Sequence, residues 1–151
     1  MNALDIEKFM SKALEMARVA YEHDEVPVGA VIVKEGKIIG RGFNQVIKKN
    51  IVTSHAELNA IADASQNIDN YRLVDCDMFV TLEPCHMCAK AIVDARLNHL
   101  YFGAREPKTG SIVSIDKFFD RNELNHTVKY SGGHFEELSS KLLKDFFQLR
   151  R

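Results

Sequence analysis

The sequence predicts an α/β chain, a three-layer α/β/α arrangement around one central mixed sheet of five strands. Three observations carry this expectation. Short runs of apolar alternation take turns along the chain with segments whose apolar residues recur every three to four positions. Two of the strand-like runs flank a two-residue loop and so read as a hairpin. The 151 residues fit one ordinary domain and leave no room for a second full core, so a single domain over 1–151 is expected.

Ile6, Phe9, Ala13, Ala17 and Ala20, with Met10 and Leu14 beside them, mark an amphipathic first helix. Val28 to Val33 and Lys37 to Gly42 are strands on either side of Glu35-Gly36. A second helix should start with Ser54 as its cap and run through Leu58, Ile61 and Ala62. Cys76, Met78, Val80 and Leu82 alternate with Asp77, Phe79 and Thr81 in a strand that ends at Glu83-Pro84. The next helix carries Cys88, Ala91, Ile92 and Ala95. Strands follow at His99 to Gly103 and Thr127 to Tyr130. A closing helix, Glu136 to Leu149, sets Leu138, Leu142, Leu143, Phe146 and Phe147 on one side.

Hydrophobic residues at 46% and charged residues at 27% describe a globular chain rather than a disordered or fibrous one. Its apolar runs fall well short of the roughly 20 residues that a membrane-crossing helix needs. The first residues include Asp5 and Glu7 where a secretory signal carries positive charge, so a cytoplasmic location is expected. A net charge of −1 gives no global sign of a nucleic-acid partner. Locally, Lys141, Lys144, Arg150 and Arg151 oppose Asp145, and Arg41, Lys48 and Lys49 precede His55. Solvated surface and a polyanion-facing patch both fit such clusters.

Chemistry concentrates in two short segments. On a regular helix, residues two apart point about 200° from each other. His55 and Glu57 can therefore face one point only at a helix start, where the dihedrals are not yet regular. A plainer reading also fits, because Ser54-His55-Ala56-Glu57 has the pattern of a capping box, with Glu57 bonding the cap's own amide.

The second segment is Pro84-Cys85-His86-Met87-Cys88. It puts both thiols on one face at the first turn of a helix, and Pro is tolerated there because the first amides have no helical partner. A helix N-terminus favours thiolate, the form that ligates metal. His55, Cys85 and Cys88 would leave a tetrahedral ion one position for water, the pattern of a catalytic zinc site rather than a structural one. Cys85 and Cys88 alone could instead be a redox pair or half of a structural site. Cys76, inside an alternating strand, reads as core, and His86 is left outside the ligand set.

Together the segments match H-x-E…P-C-x-x-C, the signature of zinc nucleobase deaminases. Zinc lowers the pKa of its water toward neutrality. Glu57, free of the metal, would shuttle the proton from that water to a ring nitrogen and on to the departing amine. A glutamine could hydrogen-bond there but could not carry the proton.

Beyond these motifs, nearly the whole chain resembles the bacterial tRNA-specific adenosine deaminases of the cytidine-deaminase superfamily. The likeness rests on Glu25 to Val31, Gly42-Phe43-Asn44, His55-Ala56-Glu57, Asn70 to Leu73, Thr81 to Ala89, Tyr101 to Arg105, Lys108-Thr109-Gly110 and Asp145-Phe146-Phe147. It implies a cytidine-deaminase-like fold with one zinc ion per subunit. It implies conversion of adenosine to inosine at the wobble position (34) of a tRNA anticodon, by zinc-bound hydroxide attacking C6 of adenine. It also implies a homodimer that cradles the anticodon stem-loop.

By similarity, Asn44 bonds the target base, Val28 lines its pocket, and Glu106 and Lys108 meet flanking nucleotides. Phe147 and Arg150 would contact the loop or its backbone, although core packing and a solvated helix end would also explain them. Asn50-Ile51-Val52-Thr53-Ser54 departs from the Asp-Pro-Thr-Ala that many relatives carry before the His-Ala-Glu, and Glu106 replaces an Asp. Rival readings are a deaminase of free guanine or cytosine bases or nucleosides, and a silent RNA-binding subunit that keeps zinc for structure. The intact Glu57 weighs against the second rival.

Overall fold

Glu35 and Gly36 both take positive φ, 50° and 76°, and so close a tight hairpin between β1 (Gly29–Lys34) and β2 (Lys37–Phe43). The computed structural model describes residues 1–150. Its sheet has five strands in the order β2-β1-β3-β4-β5, with β3 at Cys76–Leu82, β4 at His99–Ala104 and β5 at Lys129–Ser131. β1 runs antiparallel to both neighbours, whereas β3, β4 and β5 are parallel, so the sheet is mixed as expected.

The period-two alternation of the strands assigns the two sides. Ala30, Ile32, Met78, Val80, Leu100 and Phe102 face a core completed by Ala56, Ala60 and Ala64 of α3 (Ala56–Asn67) and by Ala89, Ile92 and Val93 of α4 (His86–Asp94). Val31, Val33, Phe79 and Tyr101 face the other way, against Phe9, Met10 and Ala13 of α1 (Ala3–Glu22). The Asn2 carboxamide caps α1 by accepting the Asp5 amide at 2.9 Å. α5 (Glu136–Gln148) closes the same side as α1, where Phe146 meets Tyr21 edge-on. Helices therefore cover both faces, and the three-layer architecture stands. Among the described residues, no helix is long and apolar enough to cross a membrane.

Four expectations need correction. The helix after β2 starts at Ala56, with His55 rather than Ser54 in the cap position. The amide of Ala56 is taken from outside by Asn44, whose Oδ1 accepts it at 2.7 Å, and Ser54 turns to Asn59 instead. A four-residue helix, α2 (Val46–Lys49), was not anticipated, being too short to show a period. Its first amides point at a buried acid, with Ile47 and Lys48 donating to the Glu25 carboxylate at 3.0 and 2.8 Å.

The last strand covers Lys129–Ser131 rather than 127–130, because pairing with His99, Leu100 and Tyr101 sets its register. On α5, Phe146 is buried, but Leu138 and Phe147 are 49% and 48% exposed. Its apolar stripe is wider than the surface it covers. Arg151, part of the basic cluster noted above, lies outside the described residues.

One close approach positions the site. A side chain at Gly42 would fall on the Ala56 carbonyl and the Ala60 amide, and one at Gly40 on Ala64. These glycines and the alanines opposite let α3 ride low over β2, and the start of α3 follows. Gly42→Ala should therefore cost about 1–3 kcal/mol through overpacking. In a chain this size, a thermal melt should register that as a drop of about 2–4 °C per kcal/mol. An unchanged melting temperature would mean that α3 can lift off the strand freely.

Candidate metal centre and adjoining pocket

Two helix starts meet at the ends of β2 and β3. His55 holds the cap position of α3 with extended backbone (φ −81°, ψ 152°), and Cys85 holds that of α4 (φ −75°, ψ 176°). A cap residue ordinarily turns its side chain back onto its own amides. Among the described residues neither does so, and the two side chains turn toward each other instead. Cys88, in the first turn of α4, completes the group. His55 Nδ1 lies 3.7 Å from Cys85 Sγ and 3.5 Å from Cys88 Sγ.

The three ligand atoms all fall within 4.8 Å of one another. Tetrahedral zinc, with Zn–S about 2.3 Å and Zn–N about 2.0–2.1 Å, sets such a nitrogen and sulfur about 3.5 Å apart. The triangle and its donor chemistry therefore fit a metal ion.

Proton affinities in the group are strongly skewed. A hydrogen bond from the Cys88 thiol, aided by His55, lowers Cys85 to about 4. The bond to Cys85 likewise raises His55. Cys88 moves up, because it is the thiol that donates to Cys85 and is also buried beside Glu57. A divalent cation among them would reverse the Cys88 shift, since a coordinating thiol is deprotonated. Burial raises Glu57, at the start of α3, to about 7. The capping-box reading fails here, because the cap is His55 and its helix takes its bond from Asn44.

A pocket of about 90 Å³ opens beside this group, lined by Val26, Val28, Asn44, His55, Glu57, Leu82, Glu83, Cys85, Glu106 and Thr109. Val28 and Asn44, expected at the base, and Glu106, expected at flanking nucleotides, thus line one pocket with His55 and Cys85. Lys108 is exposed on the loop after Glu106, and its amide bonds the Glu106 carboxylate at 3.0 Å.

Phe147 on α5 and Arg150 just past its end do not line this pocket. Phe147 borders a shallow groove with Leu143, Lys144 and Gln148. Arg150 lies over the Phe146 ring and pairs with Asp24 at 2.6 Å. Cys76 is fully buried in β3, as a core residue should be. His86 faces outward to Asp116, at 2.7 Å, away from the triangle.

Sequence reasoning missed Glu83 and the apolar walls Val26 and Leu82. Glu83 is buried, which opposes its ionisation. The Ser114 hydroxyl and the amides of Val113, Glu106 and Ser114 outweigh that and hold its carboxyl below the ordinary range. The available signal was an acid directly after a strand, at its junction with Pro84-Cys85.

Comparison with known proteins agrees with this geometry. The model of the MafB19-like deaminase family matches residues 4–151. The tRNA-specific adenosine deaminase of Haemophilus influenzae is 47% identical over 146 residues, covering 96% of this chain and 84% of its own. A solved structure from work on A-to-I editing by tRNA:A34 deaminases at the wobble position superposes with a TM-score of 0.87 at 43% identity. It covers 90% of this chain and 99% of that one. A guanine deaminase from Nitrosomonas europaea, 21% identical with a TM-score of 0.81 over 93% of this chain and 83% of that one, shares the fold. The chain belongs to the family of the tRNA-specific adenosine deaminases.

Proposed function

We propose that this chain is a zinc-dependent hydrolase that converts adenosine 34 of tRNA anticodons to inosine. The observation that carries the reading is a ligand triangle sized for a tetrahedral ion, with a buried carboxylate beside it at the wall of a base-accessible pocket. The substrate class is supported by relatives named for tRNA adenosine and by the A34 deaminase structure.

His55, Cys85 and Cys88 would hold one zinc ion, which when bound supplies a Lewis acid that makes water nucleophilic at neutral pH. Glu57 takes the proton of the attacking water and delivers it to N1 of adenine. It then helps protonate the amine leaving C6, so adenosine and water become inosine and ammonia. With a proton affinity near neutrality, Glu57 can both accept and release a proton at working pH.

Asn44 has its Oδ1 committed to the Ala56 amide, so its NH₂ group is the one that donates to a ring acceptor of the base. Val26, Val28 and Leu82 supply apolar walls for the flipped ring. Glu106 and Lys108 meet flanking nucleotides, and Phe147 and Arg150 serve the anticodon loop. Arg150 must then divide its guanidinium between Asp24 and phosphate. Residues 1–151 act as one domain within a cytoplasmic homodimer whose subunits jointly hold the stem-loop.

Inosine mapping on an anticodon stem-loop, with free adenosine, guanine and cytidine as parallel substrates, tests this directly. Activity confined to a free base would move the assignment to that class. Glu57→Ala should keep one zinc per chain and lose turnover by at least about 10²–10⁴-fold. Chelation should abolish activity and added zinc restore it. Persisting turnover in either case would remove the mechanism.

Glu57 also has a pH signature in the metal-free protein. Its folded value, about 7, lies above the ordinary 4.5, so ionising it works against the fold as pH rises from 4.5 through 7. Glu57→Gln should therefore stabilise the metal-free chain at pH 8, by about 3 kcal/mol at most, and not below pH 4.5. Melts at the two pH values should show the gap open only at the higher one. An equal gap at both would point to packing instead.

A further inference from the structure

Glu83 directly follows β3, just before the Pro84-Cys85 step, and is 2% exposed. Five donors converge on it. Oε1 accepts the Glu106 amide at 3.0 Å and the Ser114 hydroxyl at 2.5 Å. Oε2 accepts the amides of Ile112, Val113 and Ser114 at 3.0, 2.8 and 3.0 Å. All five come from one segment, 106–114, whose near end forms a wall of the pocket through Glu106 and Thr109. Two further ties bind the segment to the same strand end. Ser111 donates its amide to the Pro84 carbonyl at 2.9 Å, and Gly110 bridges to Cys85. A side chain on Gly110 would fall on the Glu83 carboxylate, so the fit is close.

A carboxylate offers about four lone-pair sites. With five donors in place, Glu83 has no capacity left for substrate, a metal or a proton-transfer role. We propose that Glu83 is a positioning residue for the nucleic-acid substrate: its carboxylate gathers the two ends of segment 106–114 and so sets the pocket wall carrying Glu106 and Thr109. This rests on the deaminase reading above and adds a cause for the pocket's shape. Small displacements matter in such sites, since a misplacement of about 1 Å can cost about 100-fold in rate.

Glutamine cannot replace the carboxylate. It keeps one accepting oxygen and turns an NH₂ donor toward N–H groups that are themselves donors. Aspartate keeps the charge on a shorter arm and should rescue in part.

The test uses the full-length, zinc-loaded protein. Wild type, Glu83→Gln, Glu83→Asp, Ser114→Ala and Gly110→Ala are compared by zinc content, amide hydrogen exchange and steady-state kinetics on an anticodon stem-loop. The expected result for Glu83→Gln is one zinc per chain, with faster exchange at Glu106 and at Ile112 to Ser114. Amides of α3 should be unchanged, and KM should rise about tenfold or more while kcat falls less. Gly110→Ala should reproduce this pattern, Ser114→Ala should give a weaker form of it, and Glu83→Asp should lie between wild type and Glu83→Gln. If Glu83→Gln does not fold, the Ser114 and Gly110 variants carry the same comparison.

Loop amides that exchange faster while KM and kcat stay at wild-type values would overturn the proposal. So would loss of zinc with activity recovered by excess metal, which would assign Glu83 to the metal centre. A wild type that makes no inosine sinks the deaminase reading itself, whereas an active wild type with an equally active Glu83→Gln sinks only the clamp.

Discussion

Everything chemical in this protein depends on two helix starts meeting at the edge of one sheet. His55 and Cys85 each occupy the position where the chain has extended dihedrals but a helix is about to begin. That position alone allows a side chain to leave the helix surface sideways and point at another element. Two such residues, from segments 30 positions apart, face each other across the ends of β2 and β3. Cys88 joins because the first turn of α4 brings it back to the face of Cys85. Both helix N-termini also aim partial positive charge at the group, which favours thiolate before any metal arrives.

The backbone had to be freed for this arrangement. A helix whose cap residue turns its side chain to another element needs its amides satisfied otherwise, and Asn44 does that for α3 from the end of β2. The same bond orients the Asn44 carboxamide toward the pocket, so fold and recognition share one contact. Glu25 plays the corresponding part for α2 by accepting the amides of Ile47 and Lys48. Small residues finish the construction. Gly40 and Gly42 facing the alanines of α3 bring backbone onto backbone, and the position of His55 and Glu57 is inherited from that spacing.

Much of this was legible beforehand, for identifiable reasons. Strand alternation and helical periodicity are local signals, and they located every major element and the side of the sheet each residue faces. The meeting of His55 with Cys85 and Cys88 was legible because H-x-E and P-C-x-x-C occur in one chain, a combination that carries more than either half alone. Contacts between distant segments left no such trace. Ser54 looked like the cap because cap residues usually lie in the local sequence, whereas Asn44 is 12 positions from the amide it accepts. α2 is shorter than any period can register. The stripe of α5 was placed on one side of the helix, yet Leu138 and Phe147 stand half in solvent, since an apolar stripe cannot report how much surface awaits it.

Glutamate shows most clearly what three dimensions add. Glu25, Glu57 and Glu83 are all buried, and the sequence motif marks Glu57 but says nothing of what the other two do. Their partners tell them apart. Glu25 and Glu83 accept backbone amides from segments they hold in place, and at Glu83 these bonds keep the carboxyl below the ordinary range. Glu57 instead has burial as its dominant influence, which leaves its proton affinity near neutrality. A group in that condition is poor scaffolding and a good proton carrier. What separates Glu57 from Glu83 is therefore whether burial or donor bonds dominate its surroundings. Burial dominates at Glu57, which shares a pocket wall with His55 and Cys85.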